Sequence, residues 1–193
     1  MGPHTAHLPA LAALGSAAPQ LRAVYSRSEK SAHELAQEAV IVLKLNTAPS
    51  IYHDGDPSSN LDVLLARQDI TVVIIALPIT LQPAIVLKSL AAGKHVLSEK
   101  PVAPDVKGGL EITRIYNQLY KKKGLVWRVA ENSEAESGYR VVASVIRSGK
   151  IGKVIFFKTL VVNHIDQESK WYKTPWRKDP DVSFEYVECA ISE

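Results

Sequence analysis

A glutamate and a lysine stand side by side where a predicted strand ends, in the segment AAGKHVLSEKP. A helix ends at Gly93, a strand covers residues 94–98, and Glu99-Lys100-Pro101 follows at its carboxyl end. In doubly wound sheets, ligands bind at this edge. A lysine there can donate a proton or a hydrogen bond to a carbonyl or alkoxide, and a neighbouring carboxylate can orient it. The same residues also fit a surface ion pair at a strand end, and the pattern alone leaves both interpretations open.

Strand and helix patterns alternate on both sides of this segment. Residues 70–77, ITVVIIAL, are continuously apolar and β-branched, as in a parallel strand that is covered on both faces. Strands are predicted over residues 21–26, 49–52, 70–77, 94–98 and 125–129, and helices over 30–38, 60–67, 81–92, 104–123 and 137–148. This alternation predicts an α/β fold in which right-handed crossovers wind a parallel sheet.

The pattern changes near residue 130, and we place a domain boundary there. Residues 1–130 are predicted to form one domain, and residues 131–193 to begin a second α/β domain that is too short to close a core of its own. Residues 154–165, VIFFKTLVVNHI, are β-branched and partly alternating. They predict an antiparallel or edge strand of a second sheet.

Composition excludes several classes of protein. The chain has 193 residues, of which 46% are hydrophobic and 22% charged, with a net charge of +3, so a disordered or collagen-like protein is excluded. The basic run 121–123 fits a helix end better than a nucleic-acid patch, and one cysteine excludes an internal disulfide framework. No apolar stretch is long enough to span a membrane. We expect a cytoplasmic protein that binds neither nucleic acid nor membrane.

Three segments together resemble one known family in order and spacing. They are ALPITLQPAIVLKSLAAGKHVLSEKP, RVAENSEAESGYRVVASVIRSGKIGKVIFF and TPWRKDPD. The chain is similar to the glucose–fructose oxidoreductase / inositol dehydrogenase / MocA-like (Gfo/Idh/MocA) family from about residue 7 to 181. The resemblance implies a Rossmann-type domain and NAD(P)-dependent oxidation or reduction of a sugar, polyol or related hydroxyl or keto compound. It also implies association into homo-oligomers through the second domain.

The resemblance also assigns roles to individual residues. Lys100 would be the catalytic lysine beside the nicotinamide and the substrate carbinol, and Glu99 would contact the cofactor or fix the lysine. Further candidates line the cofactor groove or approach it from the second domain: Leu77, Pro78, Gln82, Asn132, Trp176 and Arg177.

Cofactor choice depends on the residues that follow the second strand of a Rossmann unit. An acid there selects NAD by binding the ribose hydroxyls, whereas an arginine accommodates the 2′-phosphate of NADP. The first predicted strand here runs into Ser26-Arg27-Ser28, with no acid before Glu29. This favours NADP over NAD. A solvated arginine with Ser28 as a helix cap is an equally simple interpretation, and both can hold together.

Two features depart from the family pattern. A Rossmann unit needs a first strand and a glycine-rich turn that lets pyrophosphate approach a helix, but HLPALAAL near the start resembles the first helix itself and no G-x-G-x-x-G is found. Because the first strand is normally central, its neighbours should have unpaired edges and an opened core. The segment after TPWRKDPD also lacks the acid and histidine that complete the family's catalytic group.

These departures leave three functions open. The first is a truncated oxidoreductase with impaired catalysis. The second is a non-catalytic NADP-sensing regulator that resembles the galactose-pathway repressor. The third is a non-functional product whose exposed apolar edges lead to aggregation.

Overall fold

The computed structural model describes residues 6–160 and the single residues 162, 164, 166 and 168. The chain divides into two compact units, residues 1–129 and 130–193. The first unit contains all the strands among the described residues, and helix α6 belongs to the second.

Eleven helices and strands follow one another in an alternating order. Their bounds are α1 His7–Leu14, β1 Ala23–Ser26, α2 Glu29–Leu43, β2 Ser50–His53, α3 Leu61–Ala66, β3 Val72–Ile75, α4 Gln82–Ala91, β4 His95–Ser98, α5 Val106–Ile115, β5 Trp127–Val129 and α6 Ser137–Arg147. The predicted strands of the first unit are therefore all present, and HLPALAAL is a helix as expected.

The strands of the first unit form two separate parallel sheets. One sheet has the order β1-β2 and the other the order β3-β4-β5. Each pair is parallel, with Val24 opposite Ile51 in the two-stranded sheet and Val73 opposite Val96 in the three-stranded sheet. The predicted α/β class is confirmed. The unpaired strand edges that we expected in the absence of the usual first strand are also observed, because β1 and β3 each have one edge that pairs with no strand among the described residues.

The main core lies against the three-stranded sheet. Five buried side chains from β3, α4, β4 and α5 make up this core: Ile75, Val86, Leu90, Val96 and Ile112. Tyr116 and Trp127 pack at its edge, with their rings edge-to-face at 5.6 Å between centroids. The indole N–H of Trp127 donates to the buried Ser98 hydroxyl at 2.9 Å, so the end of β4 is fixed by a side chain from β5.

Two sequence predictions need correction. The helix predicted over residues 104–123 starts later, where the Asp105 carboxylate caps the Gly108 N–H, and its α-helical part ends at Ile115. A π turn at Tyr116–Tyr120 and a 3-10 turn at Lys121–Lys123 replace its last turns.

The strand predicted over residues 154–165 is wrong for the part that the structure describes. Residues 154–160 form neither helix nor strand, and Ile155, Phe156 and Phe157 are exposed. A strand requires a hydrogen-bonding partner, and none of the described residues supplies one here. Among the described residues, no helix has the length and apolar character needed to cross a membrane.

Candidate functional site

Lys100 lies just beyond the carboxyl end of β4. The backbone N–H of Glu99 donates to the Ile75 carbonyl at 2.9 Å, so the β3–β4 ladder continues up to the residue before the lysine. The Lys100 side chain is exposed, and no described carboxylate forms an ion pair with it. The interpretation as a surface ion pair therefore does not hold among the described residues, and the ammonium group is available to a ligand.

Glu99 is fixed by a histidine from the start of the chain. The Glu99 Oε1 atom lies 2.9 Å from Nε2 of His7, and both side chains are nearly buried, with 13% and 11% of their surface exposed. His7 is the first residue of α1. This contact connects the first turn of α1 with the residue beside Lys100. Sequence reasoning missed His7, because the two residues are 92 positions apart and no local spacing relates them.

Gln82 holds the other side of the Glu-Lys-Pro segment. It is the first residue of α4 and only 1% exposed. Its Nε2 donates to the Pro101 carbonyl at 2.8 Å, across 19 residues of sequence. The buried Oε1 of the same side chain accepts a hydrogen bond from no described residue. A buried amide oxygen without a donor is uncommon in folded proteins, and it provides one acceptor for a water or a bound group.

Leu77 and Pro78 connect the end of β3 to α4. Leu77 packs against the main core, and the Pro78 carbonyl accepts from the Leu81 N–H at 3.0 Å in the turn before α4. Pro78 itself is exposed. The structure thus brings these two residues to the same edge of the sheet as Gln82, Glu99 and Lys100.

Ser26, Arg27 and Ser28 lie where β1 ends, on the other sheet. The Ser28 hydroxyl caps α2 by accepting from the Ser31 N–H at 3.3 Å, so the helix-cap interpretation is confirmed for this residue. The Arg27 side chain is exposed, and no described carboxylate pairs with its guanidinium group. Arg27 therefore keeps its donors free for an anion.

An acid lies near Arg27 that the local sequence did not indicate. Asp54 follows β2, and its backbone N–H donates to the Arg27 carbonyl at 3.3 Å. Its carboxylate accepts a hydrogen bond from the Tyr25 hydroxyl at 2.7 Å. Burial and this hydrogen bond raise the pKa of Tyr25 to about 12. The Asp54 carboxylate keeps further acceptor positions, so this strand end offers both the Arg27 guanidinium and the Asp54 carboxylate to a ligand.

The remaining candidates lie beyond the first unit. Asn132 belongs to the second unit, is exposed, and donates from Nδ2 to Glu136 Oε1 at 3.1 Å. Trp176 and Arg177 lie outside the described residues.

The donors at these strand ends fit a phosphorylated dinucleotide. A free guanidinium offers planar donors to a phosphate, and a free ammonium offers a proton to a substrate oxygen. In open α/β sheets, nucleotides bind where a strand is followed by exposed polar residues and then by the N-terminus of a helix, and the same order occurs here.

A family described as an oxidoreductase family with a NAD-binding Rossmann fold, GFO_IDH_MocA, matches residues 2–130. Dehydrogenase FPY6 of Fusarium mangiferae is 38% identical over 178 residues, which are 91% of this chain and 48% of that protein. An oxidoreductase structure from Thermotoga maritima has a TM-score of 0.76 at 24% identity, over 98% of this chain and 53% of that one. A 3-ketoreductase from Actinomadura kijaniata, solved with TDP-benzene and NADP, has a TM-score of 0.59 at 23% identity, over 76% and 40%. This chain therefore spans about half the length of the first two proteins.

Proposed function

The chain belongs to the Gfo/Idh/MocA oxidoreductase family with a NAD-binding Rossmann fold, and we propose that it is the dinucleotide-binding part of an oxidoreductase that acts on a sugar, polyol or related hydroxyl or keto compound. Residues 1–130 are the NAD(P)-binding domain of this proposal, and residues 131–193 begin the domain for substrate binding and homo-oligomer contacts. We further propose that the protein is cytoplasmic and does not bind nucleic acid.

One observation carries the proposal: two side chains anchor the Glu-Lys-Pro segment and leave its lysine free. His7 binds the carboxylate before Lys100, and Gln82 binds the carbonyl after it. Side chains held by packing and hydrogen bonds keep a reactive group in place at a low entropic cost. A lysine that served only for solubility would not need both neighbours fixed.

The proposed chemistry divides between the cofactor and Lys100. When bound, a nicotinamide dinucleotide supplies the hydride chemistry of the reaction. The exposed Lys100 side chain would accept the proton of the substrate hydroxyl in the direction of oxidation, and it would return a proton to the carbonyl oxygen in the direction of reduction.

We propose that NADP is preferred over NAD. The support is the exposed Arg27 guanidinium, which pairs with no described carboxylate and offers planar donors to a 2′-phosphate. Ser26 and Ser28 add hydroxyls on either side of the arginine. The proposed cofactor contacts also include four residues of the first unit and three beyond it: Leu77, Pro78, Gln82 and Glu99, and then Asn132, Trp176 and Arg177.

We expect this polypeptide by itself to bind the dinucleotide weakly and to turn over little substrate. The sequence has no G-x-G-x-x-G to let pyrophosphate approach a helix N-terminus. A misplacement of the nicotinamide by ~1 Å reduces the rate by about 10²-fold.

Equilibrium dialysis with NADPH and NADH tests the proposal. We expect dissociation constants above micromolar, with NADPH bound about tenfold more tightly, as one charge-assisted contact provides. Arg27→Ala should reduce NADPH binding to the NADH level. Arg22→Ala is the matched control, since Arg22 is also exposed but precedes β1 at the opposite end.

Three results would contradict parts of the proposal. If Arg27→Ala and Arg22→Ala weakened NADPH binding equally, Arg27 would not be part of the cofactor site. An absence of binding by either dinucleotide at millimolar concentration would remove the cofactor assignment, and sub-micromolar binding would overturn the weak-binding expectation.

A further inference from the structure

A dinucleotide that binds at the strand ends has to contact both sheets of the first unit. Arg27 follows β1 of the two-stranded sheet, and Lys100 follows β4 of the three-stranded sheet. Among the described residues, no strand of one sheet pairs with a strand of the other. The spacing between Arg27 and Lys100 therefore depends on the helices and side chains that connect the two sheets.

Arg67 connects the sheets with a single side chain. It follows the last residue of α3, between β2 and β3 in the chain. Its Nη1 donates to the hydroxyl of Tyr52 on β2 at 3.2 Å, and its Cζ lies 5.9 Å from the centroid of the same ring. Its Nε and Nη2 donate to the two carboxylate oxygens of Asp69, which precedes β3, at 2.9 and 2.6 Å. One guanidinium group thus joins a strand of the two-stranded sheet to the start of the three-stranded sheet.

The backbone of Arg67 is held by a buried lysine. Lys94 directly precedes β4 and is 4% exposed. Its Nζ donates to the Arg67 carbonyl at 2.6 Å, and no described carboxylate forms an ion pair with it. Movement of this carbonyl would take an acceptor from a buried ammonium group, which is costly. Arg67 is therefore attached to the amino end of β4 as well as to β2 and to the segment before β3.

The geometry of the Arg67 side chain depends on its planar fork of donors. Only 23% of the side chain is exposed. Hydrogen bonds from Arg67 hold the pKa of the Asp69 carboxyl below its ordinary value, so this partner stays charged at neutral pH. A guanidinium group has several donors in fixed directions and binds Asp69 and Tyr52 at the same time, whereas an ammonium group is a single point charge. These contacts specify one position of Tyr52 relative to Asp69, and hence of β2 relative to β3.

We propose that Arg67 is a positioning residue for the cofactor, which sets the spacing between Arg27 and Lys100 so that one dinucleotide binds both. This inference rests on the proposed function. Arg67 lies at the amino ends of β3 and β4, opposite the edge where Lys100 lies, so it acts through the sheets and not by touching the ligand. A ligand that contacts two parts of a protein gains affinity from the second contact only when the spacing of the two parts fits the ligand.

The test compares NADPH with its two halves, adenosine 2′,5′-bisphosphate and reduced nicotinamide mononucleotide. Each half contacts one sheet alone, so its affinity does not depend on the spacing. NMR titrations of the full chain give all three dissociation constants. We expect Arg67→Ala to weaken NADPH binding about tenfold, because the second contact loses effective concentration. The dissociation constant of each half should change by less than about twofold, as for a site distant from the substitution.

Arg114→Ala is the matched control. Arg114 also binds a carboxylate through two nitrogens, with Nε and Nη2 donating to Glu111 at 2.9 and 2.7 Å, but both residues belong to α5. This ion pair joins no second sheet, so its loss should leave all three affinities unchanged.

Tyr52→Phe is a second, milder test. It keeps the ring and removes only the hydroxyl that accepts from Arg67. It should weaken NADPH binding about threefold, as the loss of one hydrogen bond predicts, without affecting either half. This variant tests the proposal even if Arg67→Ala does not fold.

Distances between two spin labels measure the spacing of the sheets without any ligand. The labels are attached at Gln37 of α2 and Ala91 of α4, in a chain that carries Cys189→Ser. Both positions are exposed; α2 packs on the two-stranded sheet and α4 on the three-stranded sheet. We expect Arg67→Ala to broaden the distance distribution from pulsed electron paramagnetic resonance, and Arg114→Ala to leave it unchanged.

Three outcomes would overturn this proposal and leave the proposed function standing. The first is an NADPH affinity that Arg67→Ala does not change while both halves bind. The second is an equal loss of affinity for NADPH and for both halves, which would show a merely structural role. The third is an equal effect of Arg67→Ala and Arg114→Ala on NADPH binding or on the label distances. If none of the three ligands binds at millimolar concentration, the proposed function fails and this proposal fails with it.

Discussion

The two sheets of the first unit are made of strands of similar length, yet they differ in how well their strands are supported. In the three-stranded sheet, called the first sheet below, β4 pairs on both edges, and the five-residue core packs against α4 and α5. In the two-stranded sheet, called the second sheet below, β1 and β2 pair only with each other, and Val24 is the one buried residue of their eight. The site residues follow the same division. The Glu-Lys-Pro segment, which follows β4 of the first sheet, is anchored by two side chains. Arg27, which follows β1 of the second sheet, is anchored through its backbone.

Under the proposed function, the first sheet would support proton transfer and the second would support recognition of the cofactor. A proton-transferring lysine needs a fixed position, because small displacements change the rate strongly. A phosphate-binding arginine tolerates more movement, since its fork of donors adapts to a charged ligand.

Truncation of one leucine in the main core and one at the wall of the cavity between the sheets should give the largest difference. Leu90→Ala removes a side chain that is 1% exposed within the main core, and we expect the free energy of unfolding to fall by ~3–5 kcal/mol. Leu64→Ala, at the wall of a cavity of about 460 Å³ lined by residues 19–25 and 69–77, should cost ~2 kcal/mol, because atoms that face a void have fewer contacts to lose. Urea unfolding followed by circular dichroism measures both values. Equal costs would show that the two halves are packed alike.

Removal of matched helix caps should have a smaller effect. Asp105 caps α5 beside the first sheet, and Ser28 caps α2 beside the second. We expect Asp105→Ala and Ser28→Ala each to lower the free energy of unfolding by ~1 kcal/mol. The Asp105 substitution should cost more, since its hydrogen bond to the Gly108 N–H is 2.6 Å and that of Ser28 to Ser31 is 3.3 Å. A larger loss of stability for Ser28→Ala than for Asp105→Ala in urea unfolding would contradict the conclusion that the first sheet is better supported.

The smallest expected effect is a loss of stability at high pH from Tyr25. Burial and the hydrogen bond to Asp54 raise its pKa to about 12, whereas an unfolded tyrosine titrates near ~10. The folded state therefore favours the neutral phenol. This contribution is complete below pH ~10 and is lost as the pH rises towards 12.

Tyr25→Phe isolates that contribution from other groups that titrate in the same range. We expect the stability difference between the two proteins to shrink as the pH rises from 9 to about 12. Absorbance at alkaline pH follows the phenol directly. A constant stability difference over this range would mean that Tyr25 ionises equally in the folded and unfolded states.

Much of the first sheet could be predicted from local sequence. The β-branched run at residues 70–77 and the Gly93 stop before residues 94–98 mark β3, α4 and β4 because the period and the turn chemistry are local. The unpaired edges of β1 and β3 were also predicted, whereas the separation of the strands into two sheets was not.

Contacts between distant residues were not predictable in the same way. Nothing near His7 in the sequence indicates Glu99, and nothing near Arg27 indicates Asp54, because the crossovers that bring them together depend on the whole sheet. Residues 154–160 show the opposite failure. Their local pattern is typical of a strand, but a pattern cannot supply the partner that a strand needs.

NMR titration with NADPH tests most directly whether the carboxyl ends of β1, β3 and β4 bind a nicotinamide dinucleotide. We predict that the backbone amides of Arg27, Leu77 and Lys100 shift with one common dissociation constant, while those of Val141 and Val142 in α6 do not. Shifts confined to residues away from these strand ends, or no shifts at millimolar NADPH, would contradict that assignment.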